Sequence, residues 1–242
     1  LLSSTVYIIN DVMDVEADRK HPTKCKRPIA SGRLPISVAL AAAVLILTLT
    51  FLAAYFLSID FLIIAVLYFL INLAYSTWLK HIPIVDVLIV AAGFVLRVGA
   101  GVSLIEVQRF SPWLYVCTTL LALFMGFGKR RAELALVAGS TGTRKVLDGY
   151  TIPFLDQLIL IVATSTIIAY ALYTFLAENA PPNHSMMLTI PFVVYAIFRY
   201  LYLIHVKQEG GAPEELVLTD RALQASFLLW GVSVVAFFYL LR

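Results

Sequence analysis

The chain has 242 residues, of which 61% are hydrophobic and 14% are charged, and its formal net charge is only +3. Together with a mean hydropathy of +0.90, this composition predicts an integral membrane protein. Membrane topology alone accounts for so small a positive charge, so no nucleic-acid partner is expected.

An apolar run too short to cross a bilayer opens the chain and leads into the acidic sequence NDVMDVEADRK. We expect this run to be the end of a helix that starts further upstream. Asp11, Asp14 and Asp18 are spaced three and four apart, which predicts one face of a helix. Lys24 and Arg27 follow in a basic loop. Because Mg²⁺ takes oxygen ligands from carboxylates and substrate phosphates, the pattern indicates a site for Mg²⁺ and a diphosphate.

The same acidic stretch has a plainer interpretation as a solvated helix end. Asn10 and Asp11, however, directly follow apolar residues, where polar groups are costly and usually functional. Pro22 is expected to end the helix soon after Asp18. His21 is interpreted as a helix-terminus residue in preference to a ligand.

Seven apolar segments follow, each near the length needed to cross a bilayer. They are 36–57, 60–79, 83–103, 111–128, 154–177, 187–206 and 222–241. The fold class is therefore expected to be all-α, a polytopic bundle of transmembrane helices.

The short turn between the second and third of these segments, within YSTWLKHIPIVD, is a second candidate site. Lys80 is positioned to contact a phosphate, and Asp86 lies about one turn into the next helix. Tyr75 is either a substrate contact or an interfacial anchor, since aromatic residues are enriched at membrane interfaces.

Arg97 lies deep in the segment 83–103, where a charge needs a partner or a polar cavity. The sequence leaves open whether it forms a structural ion pair or contacts substrate. Gly93 and Gly101 lie on the same helical face and are interpreted as helix-packing positions.

Two later polar stretches also carry candidate residues. Lys129, Arg130, Arg144 and Lys145 form a basic patch between two spans, which is interpreted either as a second anion subsite or as a purely topological signal. Near the C-terminus, Asp220 is a candidate cap for the last helix.

If all seven segments span the membrane, the basic residues are concentrated in alternate loops, which predicts that these loops and the acidic motif are cytoplasmic. The loops in question are 14–35, 80–82, 128–153 and 207–221, whereas the loops between them carry only Arg109. A disulfide between Cys25 and Cys117 is not expected on that side of the membrane.

Taken together, these motifs resemble the UbiA superfamily of intramembrane prenyltransferases, whose aspartate-rich motif NDxxDxxxD reads NDVMDVEAD here. The resemblance covers essentially the whole chain. It implies a single UbiA-like domain over 1–242, with about eight helices present and a first span, with most of a second, preceding the chain. The second DxxxD motif of typical members is replaced by GKRRAEL and RKVLDGY. Those stretches and GGAPEELVLTDRALQ resemble the branch of polyprenyl-phosphate phosphoribosyltransferases.

Membership of that branch implies Mg²⁺-dependent transfer of 5-phosphoribose from phosphoribosyl pyrophosphate to a membrane polyprenyl phosphate. The metal and catalytic residues would be Asp11, Asp14 and Asp18. The substrate-binding residues would be Asn10, Lys24, Arg27, Tyr75, Lys80, Lys129, Arg130, Arg144 and Lys145. The resemblance further implies a multi-pass protein of the plasma membrane with a cytoplasmic active site, on a route to cell-wall glycans. It leaves open whether the protein forms an oligomer.

Three other hypotheses remain at this point. A conventional prenyltransferase would use the same Mg²⁺ motif but move a prenyl group from its diphosphate to a small acceptor. A transporter or lipid-binding protein would more often show inverted repeats, and none is evident in the sequence. Finally, a chain without the first span of the family would be inactive if that span is essential.

Overall fold

In the computed structural model, the residues described are 1–20, 24–105, 111–137, 145–177, 181, 183–208 and 213–239, without the side chains of 137 and 145. Within these ranges the chain is helical and has no β-strand, which confirms the predicted fold class. The chain forms two compact units, Leu1–Val107 and Gln108–Arg242. The single domain expected from the resemblance stays a prediction.

Ten α-helices lie in the described residues, and eight of them have twelve residues or more. They are α1 (Leu2–Met13), α2 (Val15–Lys20), α3 (Ile36–Leu57), α4 (Ile59–Thr77), α5 (Val85–Val102), α6 (Pro112–Val137), α7 (Ile152–Leu176), α8 (Ile190–His205), α9 (Pro213–Thr219) and α10 (Arg221–Tyr239). Short 3₁₀ turns lie at Lys24–Lys26, Leu79–His81, Lys145–Gly149 and Ser185–Thr189.

Within the part of the chain that the structure describes, six helices are long and apolar enough to cross a membrane: Ile36–Leu57, Ile59–Thr77, Val85–Val102, Ile152–Leu176, Ser185–His205 (α8 with its leading 3₁₀ turn) and Arg221–Tyr239. They agree with six of the seven predicted segments to within a few residues. The remaining segment, 111–128, lies in α6, which is not among the six and whose C-terminal part carries three consecutive cations. A bilayer tolerates apolar side chains on the outside of such helices. In the most apolar part of α3 only 11% of the residues are buried inside the protein, against 39% in α7.

In the first unit, α1 packs against α3 and α4, and α4 packs against α5. Small residues make the close approach of α3 feasible, because Ala39, Ala43 and Ala54 are its buried positions. The expectation of one continuous helix through the acidic motif is wrong, because the helix is interrupted at Asp14. The α1 helix ends at Met13, with Asp14 at its C-cap, and α2 starts at Val15.

In the second unit, α6 packs against α7, while α8 contacts both α7 and α10. Two of these helices begin with side-chain caps. The hydroxyl of Thr151 accepts a hydrogen bond from the Phe154 amide at 3.3 Å at the start of α7. The carboxylate of Asp220 accepts from the Leu223 amide at 2.8 Å at the start of α10, which confirms the predicted cap.

Close contact between α6 and α8 depends on a glycine. A Cβ atom added at Gly128 would lie 2.1 Å from the hydroxyl oxygen of Tyr200 and 3.2 Å from Cγ of Pro213. Tyr200 is 4% exposed, and its ring packs edge-on against Phe124. Any side chain at position 128 would therefore displace the Tyr200 ring or separate α6 from α8.

Candidate active site

The acidic motif is organised around one arginine. Nη1 of Arg27 donates to Oδ1 of Asp11 at 2.7 Å and to Oδ2 of Asp18 at 2.8 Å. The two aspartates are seven residues apart, so they lie two turns apart along nearly the same face. Helical hydrogen bonding continues across the junction, because the Asp18 amide donates to the Asp14 carbonyl at 2.8 Å. The short break at Asp14 therefore keeps the carboxylates together.

Arg27 reaches the aspartates because the loop after α2 folds back on it. The Arg27 amide donates to the Lys24 carbonyl, closing the turn Lys24–Lys26 that packs against α2. Nε of Arg19 donates to the Ala30 carbonyl at 3.3 Å and ties the returning loop to the helix. Buried Ala30 anchors this return.

The third aspartate has a different cation. Nζ of Lys80 donates to Oδ1 of Asp14 at 2.5 Å, across 66 positions of sequence. The Lys80 side chain is only 8% exposed, so its charge depends on this partner. The contact joins the motif to the turn between α4 and α5, as the packing of α1 on α4 requires.

The turn that carries Lys80 is strained at Ile84. This β-branched residue has φ 69° and ψ −48°, and the Val85 amide donates to the Pro83 carbonyl at 2.8 Å in a γ-turn. Such backbone costs on the order of 1–3 kcal/mol and tends to occur near functional sites. It leads directly into Asp86, whose side chain is fully buried at the start of α5.

Electrostatics in the motif favour a bound cation. Burial raises the pKa of the Asp11 carboxyl above its ordinary value; Arg27 opposes this, and the charges of Asp18 and Asp14 add to it. Oδ1 of Asn10 is buried and has no hydrogen-bond partner in the described structure. An unsatisfied amide oxygen beside three carboxylates is a donor set of the kind that Mg²⁺ prefers.

These oxygens do not converge on one point in the structure. Among the described residues, no group of three His, Cys, Asp or Glu side chains is placed to hold a metal ion. The physical reason is that Arg27 and Lys80 occupy the carboxylate oxygens. The metal assignment made from the sequence therefore stays a prediction, and its donor chemistry fits.

The structure also locates two other predicted residues of the first unit, whose roles stay predictions. Lys24 begins the returning turn, and Tyr75 lies half-buried in the last turns of α4. Trp78, by contrast, is 62% exposed at the end of α4, as suits an interfacial anchor.

In the second unit, the predicted basic patch forms ion pairs. Lys129 pairs with Glu214 of α9, and Arg130, which is 6% exposed, pairs with Glu133 one turn away. Arg144 and the side chain of Lys145 lie outside the described residues. The structure thus places two of these four predicted residues, each against a carboxylate.

Sequence reasoning missed the neighbouring pair. Nε of Arg131 donates to Oδ1 of Asp156 at 2.5 Å, and Nδ1 of His205 lies 4.0 Å from the same carboxylate. Asp156 stands one turn into the apolar helix α7, and a charge at that position was the available signal. With Gln157, Leu160 and Leu201, it lines a shallow groove of about 290 Å³.

The comparison with protein families identifies the class. The UbiA prenyltransferase family matches residues 1–206, and the chain belongs to this family. It is therefore a multi-pass membrane transferase of the UbiA superfamily, as the motifs predicted.

Two curated proteins that are similar over nearly the whole chain carry the same name. The chain is 36% identical to the decaprenyl-phosphate phosphoribosyltransferase of Corynebacterium glutamicum, over 99% of this chain and 73% of that protein. It is 37% identical to the decaprenyl-phosphate phosphoribosyltransferase of Mycolicibacterium smegmatis, over 99% of this chain and 77% of that protein.

Among solved structures, the fold is similar to that of a UbiA homologue from Archaeoglobus fulgidus bound to GPP and Mg²⁺. The TM-score is 0.73 at 17% identity, and the match covers 97% of this chain and 81% of that one. At this identity the likeness establishes the fold alone.

Proposed function

We propose that this chain transfers 5-phosphoribose from phosphoribosyl pyrophosphate to the phosphate of a membrane polyprenyl phosphate, with release of pyrophosphate. The identity of 36–37% to two phosphoribosyltransferases over 99% of the chain supports this choice within the family. The observation that carries it in the structure is the interlocked set of carboxylates and cations formed by Asp11, Asp18 and Arg27, with Asp14 and Lys80.

The aspartates of this set are proposed to hold Mg²⁺. Asp11, Asp14 and Asp18 supply carboxylate oxygens, and the unsatisfied amide oxygen of Asn10 is a further ligand. A Mg²⁺ ion bound there supplies positive charge to the pyrophosphate leaving group. Arg27 and Lys80 then turn from the aspartates to the substrate phosphates, for which a guanidinium and an ammonium are suited. Lys24 and Tyr75 are proposed to contribute at the same end.

The reaction balances without a strong general base. A phosphate oxygen of the lipid forms a bond to C1 of the ribose, and the bond from C1 to the pyrophosphate oxygen breaks. The electron pair leaves with pyrophosphate. Because the attacking phosphate is already an anion, the role of the chain is to orient the two substrates and stabilise developing charge.

The cations of the second unit are proposed to bind a further phosphate of the substrates. Lys129 is about half exposed and reaches Glu214 with a flexible chain, so it can exchange that partner for a phosphate. Arg130, Arg144 and Lys145 belong to the same proposal, since their basic stretch follows the apolar part of α6.

The membrane arrangement is also proposed from charge. If α6 crosses the membrane together with the six apolar helices, the basic loops 14–35, 80–82, 128–153 and 207–221 all lie on one side. Their positive charge then favours a cytoplasmic position for these loops and for the aspartate motif, in a protein of the plasma membrane. Both substrates then have access, because the donor is water-soluble and the acceptor is a lipid.

The test is Mg²⁺-dependent transfer of labelled phosphoribose to a polyprenyl phosphate by membranes containing the chain. The expected result is a labelled lipid and stoichiometric pyrophosphate. A matched reaction replaces the donor with a prenyl diphosphate and adds a small aromatic acceptor. Prenylation in that reaction, with no phosphoribosyl transfer, would refute the proposal in favour of a conventional prenyltransferase.

A further inference from the structure

A cation lies deep within the apolar helices of the first unit, away from the aspartate motif. Arg97 lies about 18 Å along α5 from its first residue, Val85. Its hydrogen-bond partner, Tyr68, is at the middle of α4. Both helices are long and apolar enough to cross a membrane. The guanidinium is therefore at membrane depth, where a charge is costly and usually functional.

The contacts of Arg97 leave its charge uncompensated. Nη2 donates to the hydroxyl of Tyr68 at 2.6 Å, and the guanidinium lies over the rings of Tyr68 and Phe94 at 5.2 and 5.4 Å. No ion pair joins Arg97 to a carboxylate among the residues that the structure describes. The structural ion pair considered from the sequence is therefore not what holds this residue.

Tyr68 fixes the position of Arg97 and leaves the guanidinium accessible. The tyrosine is 5% exposed, and its hydroxyl lies 3.5 Å from Oγ of Ser3 on α1. Arg97 itself is exposed. Gly101, one turn further along the same helical face, has open space where a side chain would be. The remaining N–H groups of the guanidinium therefore have room for a ligand.

A polar row on α1 connects this position to the aspartate motif. Ser3, Tyr7, Asn10 and Asp14 are spaced four, three and four apart, so they share one face of the helix. The row contacts Tyr68 at Ser3 and Lys80 at Asp14. Tyr7, between them, is 64% exposed. The distance from Ser3 to Asp11 along the helix is about 12 Å.

We propose that Arg97, held by Tyr68, binds a phosphate monoester at the membrane-facing end of this polar row. The inference rests on the proposed function, because each substrate then carries a phosphate monoester: the donor at its 5-position, apart from its pyrophosphate, and the lipid acceptor at its end. The planar guanidinium matches phosphate oxygens in pairs. The ligand is either the 5-phosphate of the donor or the phosphate of the lipid acceptor, which share this chemistry.

The experiment measures binding and not turnover. The purified chain in detergent is titrated with ribose 5-phosphate and, separately, with a polyprenyl phosphate, and the ligand-induced shift in melting temperature gives each affinity. Arg97→Met and Arg97→Lys are compared with the wild type, and Tyr68→Phe removes only the hydroxyl. Arg33→Met and Tyr55→Phe are the matched controls, since both residues lie elsewhere in the same unit.

We expect Arg97→Met to weaken binding of one probe by about 10- to 100-fold, the loss typical of a hydrogen bond to a charged group. Arg97→Lys and Tyr68→Phe should weaken the same probe by less. Loss of ribose 5-phosphate binding alone assigns the donor, and loss of lipid binding alone assigns the acceptor. Should Arg97→Met fail to fold, Arg97→Lys and Tyr68→Phe still test the proposal, because each should weaken binding of the same probe relative to the wild type.

Equal affinity of wild type and variants for both probes would overturn the inference, as would a wild type that binds neither probe. Failure of the proposed function has a separate signature. It is the absence of labelled lipid from wild-type membranes, whatever the binding experiment gives.

Discussion

The two units of the chain use interleaved acids and bases in different ways. In the first, one arginine serves both Asp11 and Asp18, and a buried lysine serves Asp14. An amide oxygen nearby has no partner among the described residues. In the second, the described ion pairs set consecutive cations of α6 against different carboxylates: Lys129 against Glu214, Arg130 against Glu133 and Arg131 against Asp156.

The two units therefore differ in how cations and carboxylates are shared. In the first, Arg27 serves two carboxylates at once, so carboxylate oxygens remain for a metal ion or for exchange with substrate. In the second, the described ion pairs set each of three consecutive cations against a different carboxylate. Ion pairs alone therefore do not mark a site, whereas an excess of oxygen donors beside a buried cation does.

The largest expected effect is loss of turnover from the aspartate motif. Asp11→Asn should reduce phosphoribosyl transfer by roughly 10²-fold or more, the scale seen when one preorganised electrostatic group is lost. The melting temperature should change little, because Arg27 keeps Asp18 as a partner. Glu16→Gln is the control, since Glu16 is exposed and pairs only with Arg19 among the contacts described here. Normal turnover in Asp11→Asn would remove the metal assignment.

The next effect compares a buried pair with an exposed one. Lys80→Met leaves Asp14 without its cation in a partly buried site and should cost on the order of 2 kcal/mol of stability. Lys129→Met removes a partner from a pair that is about half exposed, which costs less than about 1 kcal/mol. Detergent melting of both variants checks the difference.

Activity of the same lysine variants sharpens the comparison further. If Lys129 binds a substrate phosphate, Lys129→Met should raise KM for one substrate while the melting temperature changes little. Unchanged kinetics would mean that Lys129 binds no substrate phosphate and that its pair with Glu214 only joins α6 to α9.

A third prediction concerns packing in the second unit. Gly128→Ala should destabilise the protein by about 1–3 kcal/mol, since the new methyl group collides with the Tyr200 hydroxyl. Tyr200→Phe in the same chain should restore part of the loss, because it removes the nearest atom. A double-mutant cycle of melting free energies measures this coupling, and strictly additive losses would contradict it.

The smallest expected effect is a loss of stability at acidic pH from the pair of Arg199 and Asp220. The hydrogen bond from Arg199 lowers the pKa of Asp220 below its ordinary value of 3.8. The stabilisation from this pair is therefore complete above pH 3.8 and is lost as the pH falls through the lowered pKa. Melting temperatures of the wild type and Asp220→Asn should converge below that pH, and parallel curves would argue against the pair.

Glu214 behaves differently under the same titration. Burial works to raise the pKa of its carboxyl, but the hydrogen bonds it accepts, first from Lys129, outweigh burial and lower the pKa. Since this pair is about half exposed, added salt should weaken it more than the pair of Asp220.

Much of the fold could be predicted from the sequence, because apolar runs of spanning length have few alternatives in a membrane. The cap at Asp220 was also predictable, since it precedes an apolar run. The interruption at Asp14 was not, because neither glycine nor proline marks it. The backbone of Asp14 has φ −94° and ψ 5°, in the bridge region beside the helical one, which a residue such as Asp can adopt without any marker in the sequence.

The candidate site was predictable in composition but not in its pairings. The spacing of the aspartates and the returning basic loop predicted that Arg27 would meet them. The contact of Lys80 with Asp14 joins residues 66 positions apart and depends on how α1 packs on α4. The partners of Lys129 and Arg131, on α9 and α7, likewise follow from packing that local sequence does not encode.

The close contact of Tyr200 with Gly128 also fixes the rotation of α8 about its own axis. Successive helical residues point about 100° apart, given 3.6 residues per turn, so locking position 200 sets the directions of its neighbours. Arg199 is thereby aimed at Asp220, and Leu201 at the groove beside Asp156. The lack of a side chain at position 128 thus helps to set the direction of Arg199 in the neighbouring helix, and the methyl group of Gly128→Ala would change that direction.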